Sequence, residues 1–308
     1  MHVVISHTTI RSVVGAGAFV TCLVVTAGRM VAAPQPSGGF DQAVVGDPAR
    51  FETALDANAE AVVLARAGKI RDALRFPVGA RHASKHVRDG FEHAEYDEIS
   101  EIDMAGRITS VTQFDAQGRL RAAVRLDSAP GVGPKVTREA AIKSAQRSAA
   151  AAGLPVAMPS ATEVDQANGG WTIHWARLQD GVQVRGDETR VHLWPDGRIQ
   201  SLARVEHDLA SSPDRRIGSD QATQVVTTTF NQWFAGRDSS HTIQSLGLEW
   251  VGPNGAFDPA RITDSPQPYR LAWVANVKPT GTAANYVWLV SVYVDAGDGT
   301  IIGGDVVE

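Results

Sequence analysis

VTREAAIKSAQRSAAAAG, residues 136–153, followed by WTIHWARL (171–178), GVQVRGDETRVHLW (181–194) and RIQSLARVEH (198–207), is the succession that decides the fold. Thr137 can accept hydrogen bonds from the free N–H groups of a first helical turn, and Gly153 tolerates the left-handed backbone that ends many helices, so a helix is predicted between them. The three segments after it are short, rich in Val, Ile and Trp, and bounded by turn residues, which is the chemistry of strands. Pro195-Asp196-Gly197 separates the last two and reads as a tight turn. One helix and an antiparallel meander result.

The same order recurs downstream. Gly218-Ser219-Asp220-Gln221-Ala222 opens a helical run to Phe234, and LGLEWVG (246–252), YRLAWVANVK (269–278), YVWLVSVYVDA (286–296) and TIIGGDVVE (300–308) follow as strands. Thr137-Arg138-Glu139-Ala140 aligns with Ser219-Asp220-Gln221-Ala222 at the helix entry. HLWPDGRI (192–199) aligns with YVDAGDGTI (293–301) at the closing hairpin, where Gly297-Asp298-Gly299 makes the turn. A single helix can cover one apolar face of an antiparallel sheet. The fold class expected is therefore α+β, built as tandem small modules that each pack a helix on an antiparallel β-sheet, one over 136–210 and one over 211–308. Neither holds much core of its own, so packing between modules is expected.

Upstream, Ile102, Ile108, Val111 and Phe114, then Leu120, Ala122 and Val124, read as a β-meander with turns at MAGR (104–107) and DAQGR (115–119). Ser128 to Lys135 reads as a linker and closes a region spanning 101–135. Residues 34–100 form an N-terminal helical and irregular region. It begins with a Pro/Gly/Ser/Ala-rich lead to Gly46, and Asp47-Pro48 then suits a helix start. Phe51, Leu55, Ala59, Val62 and Val63 lie at near-helical spacing and predict one or two helices. FPVGARHASKHVRDGFEHAEYDE (76–98) shows no clean period and is expected to be irregular with short strands.

The chain opens with Arg11 and an apolar run from about Val13 to Ala27. That run is shorter than the roughly 20 residues of a membrane span and fits a signal peptide over 1–33, cut after Val25-Thr26-Ala27 or Val31-Ala32-Ala33. A secreted or cell-surface protein is expected; membrane contact enters only if this segment stays uncleaved. Cys22 is the single cysteine of the chain and lies inside the run. Its removal leaves no disulfide, thiol nucleophile or cysteine metal site. The formal charge is −5, and the only charges before Pro34 are Arg11 and Arg29, so cleavage makes the chain more acidic. No basic field for nucleic acid is present.

The nine histidines raise a metal-dependent hydrolase as one reading. The sequence holds no His-Glu-x-x-His, and the nearest cluster is His82, His86 and His93, of which the first two could share a helical face. Surface histidines in an irregular segment are the simpler account. His174 and His192 lie on strands among tryptophans and suit burial with one ring nitrogen hydrogen-bonded to a carbonyl. Neighbouring carboxylates such as Asp187 and Glu188 alternate to opposite faces of a strand and offer no paired-carboxylate site. Asp295 to Asp298 lacks the ligand spacing of a calcium loop. No catalytic, cofactor or metal residue is therefore assigned. Trp171, Trp175, Trp194, Trp273 and Trp288 have two readings, core packing or a partner-binding face, and the sequence leaves both open.

Gln179-Asp180-Gly181-Val182-Gln183-Val184-Arg185-Gly186-Asp187, with Asp196-Gly197 and Ile199 after the next strand, resembles the Q-x-x-G-V-x-V-x-G-[DS] strand pattern in propeptides of thermolysin-like metallopeptidases. Only Asp180 separates Gln179 from Gly181, one residue fewer than in that pattern. The helix 136–153 and the closing YVWLVSVYVDAGDGTII resemble the PepSY module found in those propeptides and in exported proteins without a protease. The likeness covers 136–308 and implies cystatin-like, PepSY-like modules. It also implies a non-catalytic binding protein, acting in trans on an exported protein partner such as a peptidase, or scaffolding the cell envelope. No cofactor is implied.

Overall fold

In the computed structural model of the chain, residues 50–89, 94–126, 133–154, 162–167, 170–211, 215–236, 238–254, 256–257, 267–285 and 287–307 are described. The predicted signal segment with Cys22, the lead 34–46, His93 and most of the predicted 128–135 linker lie outside them. No helix among the described residues is long and apolar enough to cross a membrane.

The elements run β1 (Arg50–Thr53), α1 (Ala57–Leu74), β2 (Arg81–Asp89), β3 (Ala94–Ile102), β4 (Ile108–Asp115), β5 (Leu120–Arg125), α2 (Arg138–Ala151), β6 (Thr162–Ala167), β7 (Gly170–Gln179), β8 (Val182–Leu193) and β9 (Ile199–Val205). Then come α3 (Ser219–Trp233), β10 (Ser239–Val251), β11 (Arg270–Gly281), β12 (Leu289–Asp295) and β13 (Ile301–Val307). They form one 13-stranded sheet in the order β1-β2-β3-β4-β5-β9-β8-β10-β11-β12-β13, with β7 on the other edge of β8 and β6 beyond it. This overturns the expected fold class. The strands do not divide into tandem modules with separate sheets, and the sheet is mixed, because β10 joins β8 in parallel at Trp250↔Val184.

Local chemistry explains the helices. Asp56 caps α1 by accepting from the amides of Asn58 and Ala59, both at 2.9 Å. Arg75 ends it in the left-handed region at φ 56°. The cap moves the helix start past Phe51 and Leu55, so its buried stripe is Val63, Ala67, Ile70 and Leu74, while Phe51 lies exposed on β1 and Val62 faces solvent. The predicted 76–98 irregularity is instead a hairpin of nine-residue strands, β2 and β3, in continuous register from Arg81↔Ile102 to Asp89↔Ala94. Cross-strand pairs of opposite charge, Lys85 with Glu98 at 3.2 Å and Arg88 with Glu95 at 2.6 Å, supply the pairing chemistry that an apolar period would otherwise signal. On α2, Thr137 caps the first turn through Ala140 N, and Ala141, Ala145 and Ala149 form a fully buried small-residue face. That face lets the helix lie close to both α1 and the sheet.

Helices α1 and α2 share one core with residues of β3, β4, β5, β7, β8 and β9, including Ile99, Phe114, Leu120, Ala123, Ile173, Trp175, Val191 and Leu202. Helix α3 buries Ala222, Val226 and Phe230 against a second core of Trp250, Trp273, Val277, Val292 and Val294. Burying each large side chain contributes roughly 1.5–3 kcal/mol.

Strand β8 belongs to both cores. Val191 and Leu193 enter the first, whereas Val184 enters the second. Between these residues lies a bulge: Ala176 lies opposite Glu188 and Leu178 opposite Gln183, so residues 184–187 all lie opposite Arg177, and Val184 stays on the sheet face of Val191 although seven positions separate them. Gly186, at φ 79°, supplies the backbone that this requires. Beyond the bulge the outer edge of β8 changes neighbour, from β9 along Glu188–Leu193 to β10 at Val184.

Candidate functional site

The bulge in β8 and the exit of β9 leave a hollow of about 240 Å³, lined by Arg119, Arg177, Glu206, His207 and Trp250 among others. Its anchor is Asp187, whose side chain is fully buried. Asp187 accepts from Arg177 Nη1 at 2.9 Å, from the His207 backbone N–H at 2.9 Å, and pairs through its other oxygen with His207 Nδ1. Arg177 Nη1 also donates to the His207 carbonyl at 2.8 Å. Strand alternation puts Asp187 on the buried face with Thr189 and Val191, and the bulge takes it out of the β7 ladder that Glu188 resumes, leaving its carboxylate free for Arg177 and His207.

Around the anchor stands a grid of ion pairs. Glu206 lies 3.1 Å from Arg204, 3.5 Å from Arg119 and 3.6 Å from Arg177, and Asp115 takes Arg204 at 2.7 Å and Arg119 at 2.8 Å. The His207 ring stacks on Tyr269 with centroids 4.3 Å apart, and the Tyr269 backbone bonds Asp208 and Ala210. Burial, with the Asp187 carboxylate nearby, pushes the Tyr269 hydroxyl up to about 12, so it stays protonated. A buried carboxylate thus fixes one nitrogen of an imidazole whose ring is 41% exposed. That arrangement can orient a base or hydrogen-bond partner. Among the described residues, those lining the hollow include no Ser, Thr, Cys or Lys.

The sequence-predicted residues lie elsewhere. Trp175 is buried in the first core with Trp171 packed against it, and Trp273 is buried in the second, its indole N–H donating to the Ile217 carbonyl at 3.1 Å. Trp194 is buried beneath the guanidinium groups of Arg125 and Arg198. Trp288 alone of the five is widely exposed, at 66%. They do not share a surface.

His82 and His86 lie on strand β2, not on a helix, and turn to different acids: His82 Nε2 is 3.6 Å from Glu60, and His86 Nδ1 is 2.9 Å from Asp97. Among the described residues no three His, Cys, Asp or Glu side chains gather as a metal set. The buried ring nitrogens of the strand histidines find side chains where carbonyls were expected. His174 Nδ1 meets Glu188 at 3.1 Å, and His192 Nδ1 meets Thr172 Oγ1 at 2.8 Å. Burial, together with the nearby Arg190 charge, pushes His192 down to about 4.

Sequence reasoning missed Asp187, His207, Arg177 and Glu206. The one local signal was Gly186 inside an otherwise β-branched run, which marks a bulge. The partners come from the end of β4 and the turn after it, from β7, from β9 and from the chain after β9, and no spacing links them.

No family model matches the chain, and no curated protein does. Among solved structures, the chain is similar to the C-terminal domain of YpeB from Bacillus megaterium, at 11% identity, over 83% of this chain and 99% of that one, with a TM-score of 0.41. A score that low decides neither fold nor function.

Proposed function

We propose that this chain is an exported, non-catalytic binding protein that holds a protein partner at the hollow beside β8, with an exported peptidase, acted on in trans, as the partner class. The observation that supports it is the set of charges around Asp187, fixed by mutual pairing before any ligand arrives. Preorganised groups lose little freedom on binding, and a mixed lining of Arg, Glu, Trp250 and Leu209 can meet both the backbone and the side chains of a peptide. The resemblance of residues 179–187 to propeptide strands directs the reading toward peptidases.

The test is affinity capture from culture supernatant on the immobilised full chain, beside R119A and W288A. Arg119 is about half exposed and its ion pairs contribute on the order of 0–1 kcal/mol, so R119A keeps the fold. Recovery of a peptidase that R119A loses and W288A retains supports the proposal. Retention by R119A with loss by W288A moves the contact to the exposed tryptophan, and recovery of no peptidase removes the peptidase reading.

A further inference from the structure

Three outermost strands of the described sheet, β1, β6 and β13, are guarded. β1 is four residues long and carries Arg50 and Glu52, and β6 is six long with Glu163 and Asp165. On β13, Asn254 stands in for a neighbouring strand. Its backbone N–H donates to the Ile302 carbonyl at 3.0 Å, and its side-chain amide both accepts from Gly304 N–H and donates to the Gly304 carbonyl, each at 3.0 Å. Short length, charge and occupied backbone groups all prevent unplanned strand pairing.

The outer edge of β10 is different. β10 meets β8 only at Trp250, so no described strand pairs with that side of Ser239–Leu248. This stretch, SSHTIQSLGL, contains no Asp, Glu, Lys, Arg or Pro. Its one irregularity is an extra residue at Gln244. It also leaves the second core open at its flank: Ile243, Leu246 and Leu248 pack against that core yet remain half-buried, and His241 stands over Phe230 at 5.1 Å. A strand that completed this flank would be extended, uncharged and apolar at alternate positions on the α3 side. Ser239–Leu248 has those properties itself.

We infer that the outer edge of β10 pairs antiparallel with β10 of a second copy of this chain, giving a twofold dimer whose sheet runs through both. Twofold pairing sets a strand against its own sequence. A charged strand would then bring like charges face to face, which costs stability; this one brings Ser, Thr, Gln and Leu. The inference stands independently of the partner reading above.

Sedimentation equilibrium on the full chain tests it, with S240D/T242D as the variant. Both positions are exposed, and Thr242 lies opposite Lys278, so an aspartate there finds a counter-charge within one copy. The expected result is a wild-type dimer at tens of micromolar and association weakened at least about tenfold in the variant. Hydrogen exchange on the wild type supplies a readout that needs no variant: amides within 240–248 gain protection as concentration rises. A wild type that stays monomeric at about 100 µM, a dimer indifferent to S240D/T242D, or a dimer without added protection at 240–248 overturns the inference.

Discussion

Replacing Asp187 by asparagine keeps the volume and removes the buried charge that holds Arg177 and His207 at the wall of the hollow. The native carboxylate serves three donors: Arg177 Nη1, the His207 amide and His207 Nδ1. The carboxamide introduced by D187N would offer one acceptor oxygen and would turn its own N–H groups toward existing donors. Arg177 keeps the His207 carbonyl at 2.8 Å, and the exposed His207 ring can turn to water, so both are partly compensated. The uncompensated loss is one buried donor, at about 1–3 kcal/mol, plus the part of the charge-assisted bond to Arg177 that its other partners do not restore. The sum is about 2–3 kcal/mol, below the 3–5 kcal/mol of a fully buried broken pair because Arg177 is partly solvated. In a chain of this size that lowers the melting temperature by roughly 3–5 °C. Urea unfolding followed by tryptophan fluorescence, run as a double-mutant cycle with R177M, measures both loss and coupling. A D187N loss under about 0.5 kcal/mol, or strict additivity with R177M, would refute the role given to Asp187.

The lowered His192 makes a signed pH prediction. The unfolded ring takes a proton below about 6.5 and the folded ring only near 4, so stability is full above 6.5 and falls as pH drops from 6.5 to 4, by about 3 kcal/mol at most. H192Q, compared with wild type in urea titrations across that window, removes this part of the slope; an unchanged slope would show that the ring is not held neutral. Two glycines should diverge on substitution. A Cβ on Gly304 would meet the Ser291 carbonyl and Phe257, both at 2.1 Å, whereas Gly247 has nothing within 4 Å. G304A should therefore cost about 2 kcal/mol or more and G247A should be neutral or slightly stabilising, as thermal melts of the pair would record.

What was legible in the sequence was local. Thr137 and Gly153 bracket α2, Asp115 to Gly118 and Pro195 to Gly197 make their turns, and strands β7 to β9 and β11 to β13 fall within or near the predicted segments. These features depend on neighbours within a few residues, where capping and turn chemistry act. The β2–β3 hairpin was hidden because its faces carry Lys85, Glu98, His86 and Asp97 in place of an apolar alternation. The joining of the two sheet halves was hidden for a different reason. Its strand pairing is a single parallel pair, Val184 with Trp250, 66 positions apart, and nothing in either strand's pattern names its neighbour. The hollow inherits the same difficulty, since alternation separates Asp187 from Glu188 but nothing in the sequence brings Arg177 and His207 to Asp187.

A strand shared between two cores also constrains how such a chain can grow. A duplicated copy of 211–308 would arrive with its own α3 and four strands but without Val182 and Val184, which β8 contributes to that core. It would find the existing β8 already occupied at the bulge. Lengthening by simple duplication of 211–308 would leave the copied core without its β8 side chains unless the copy began within β8.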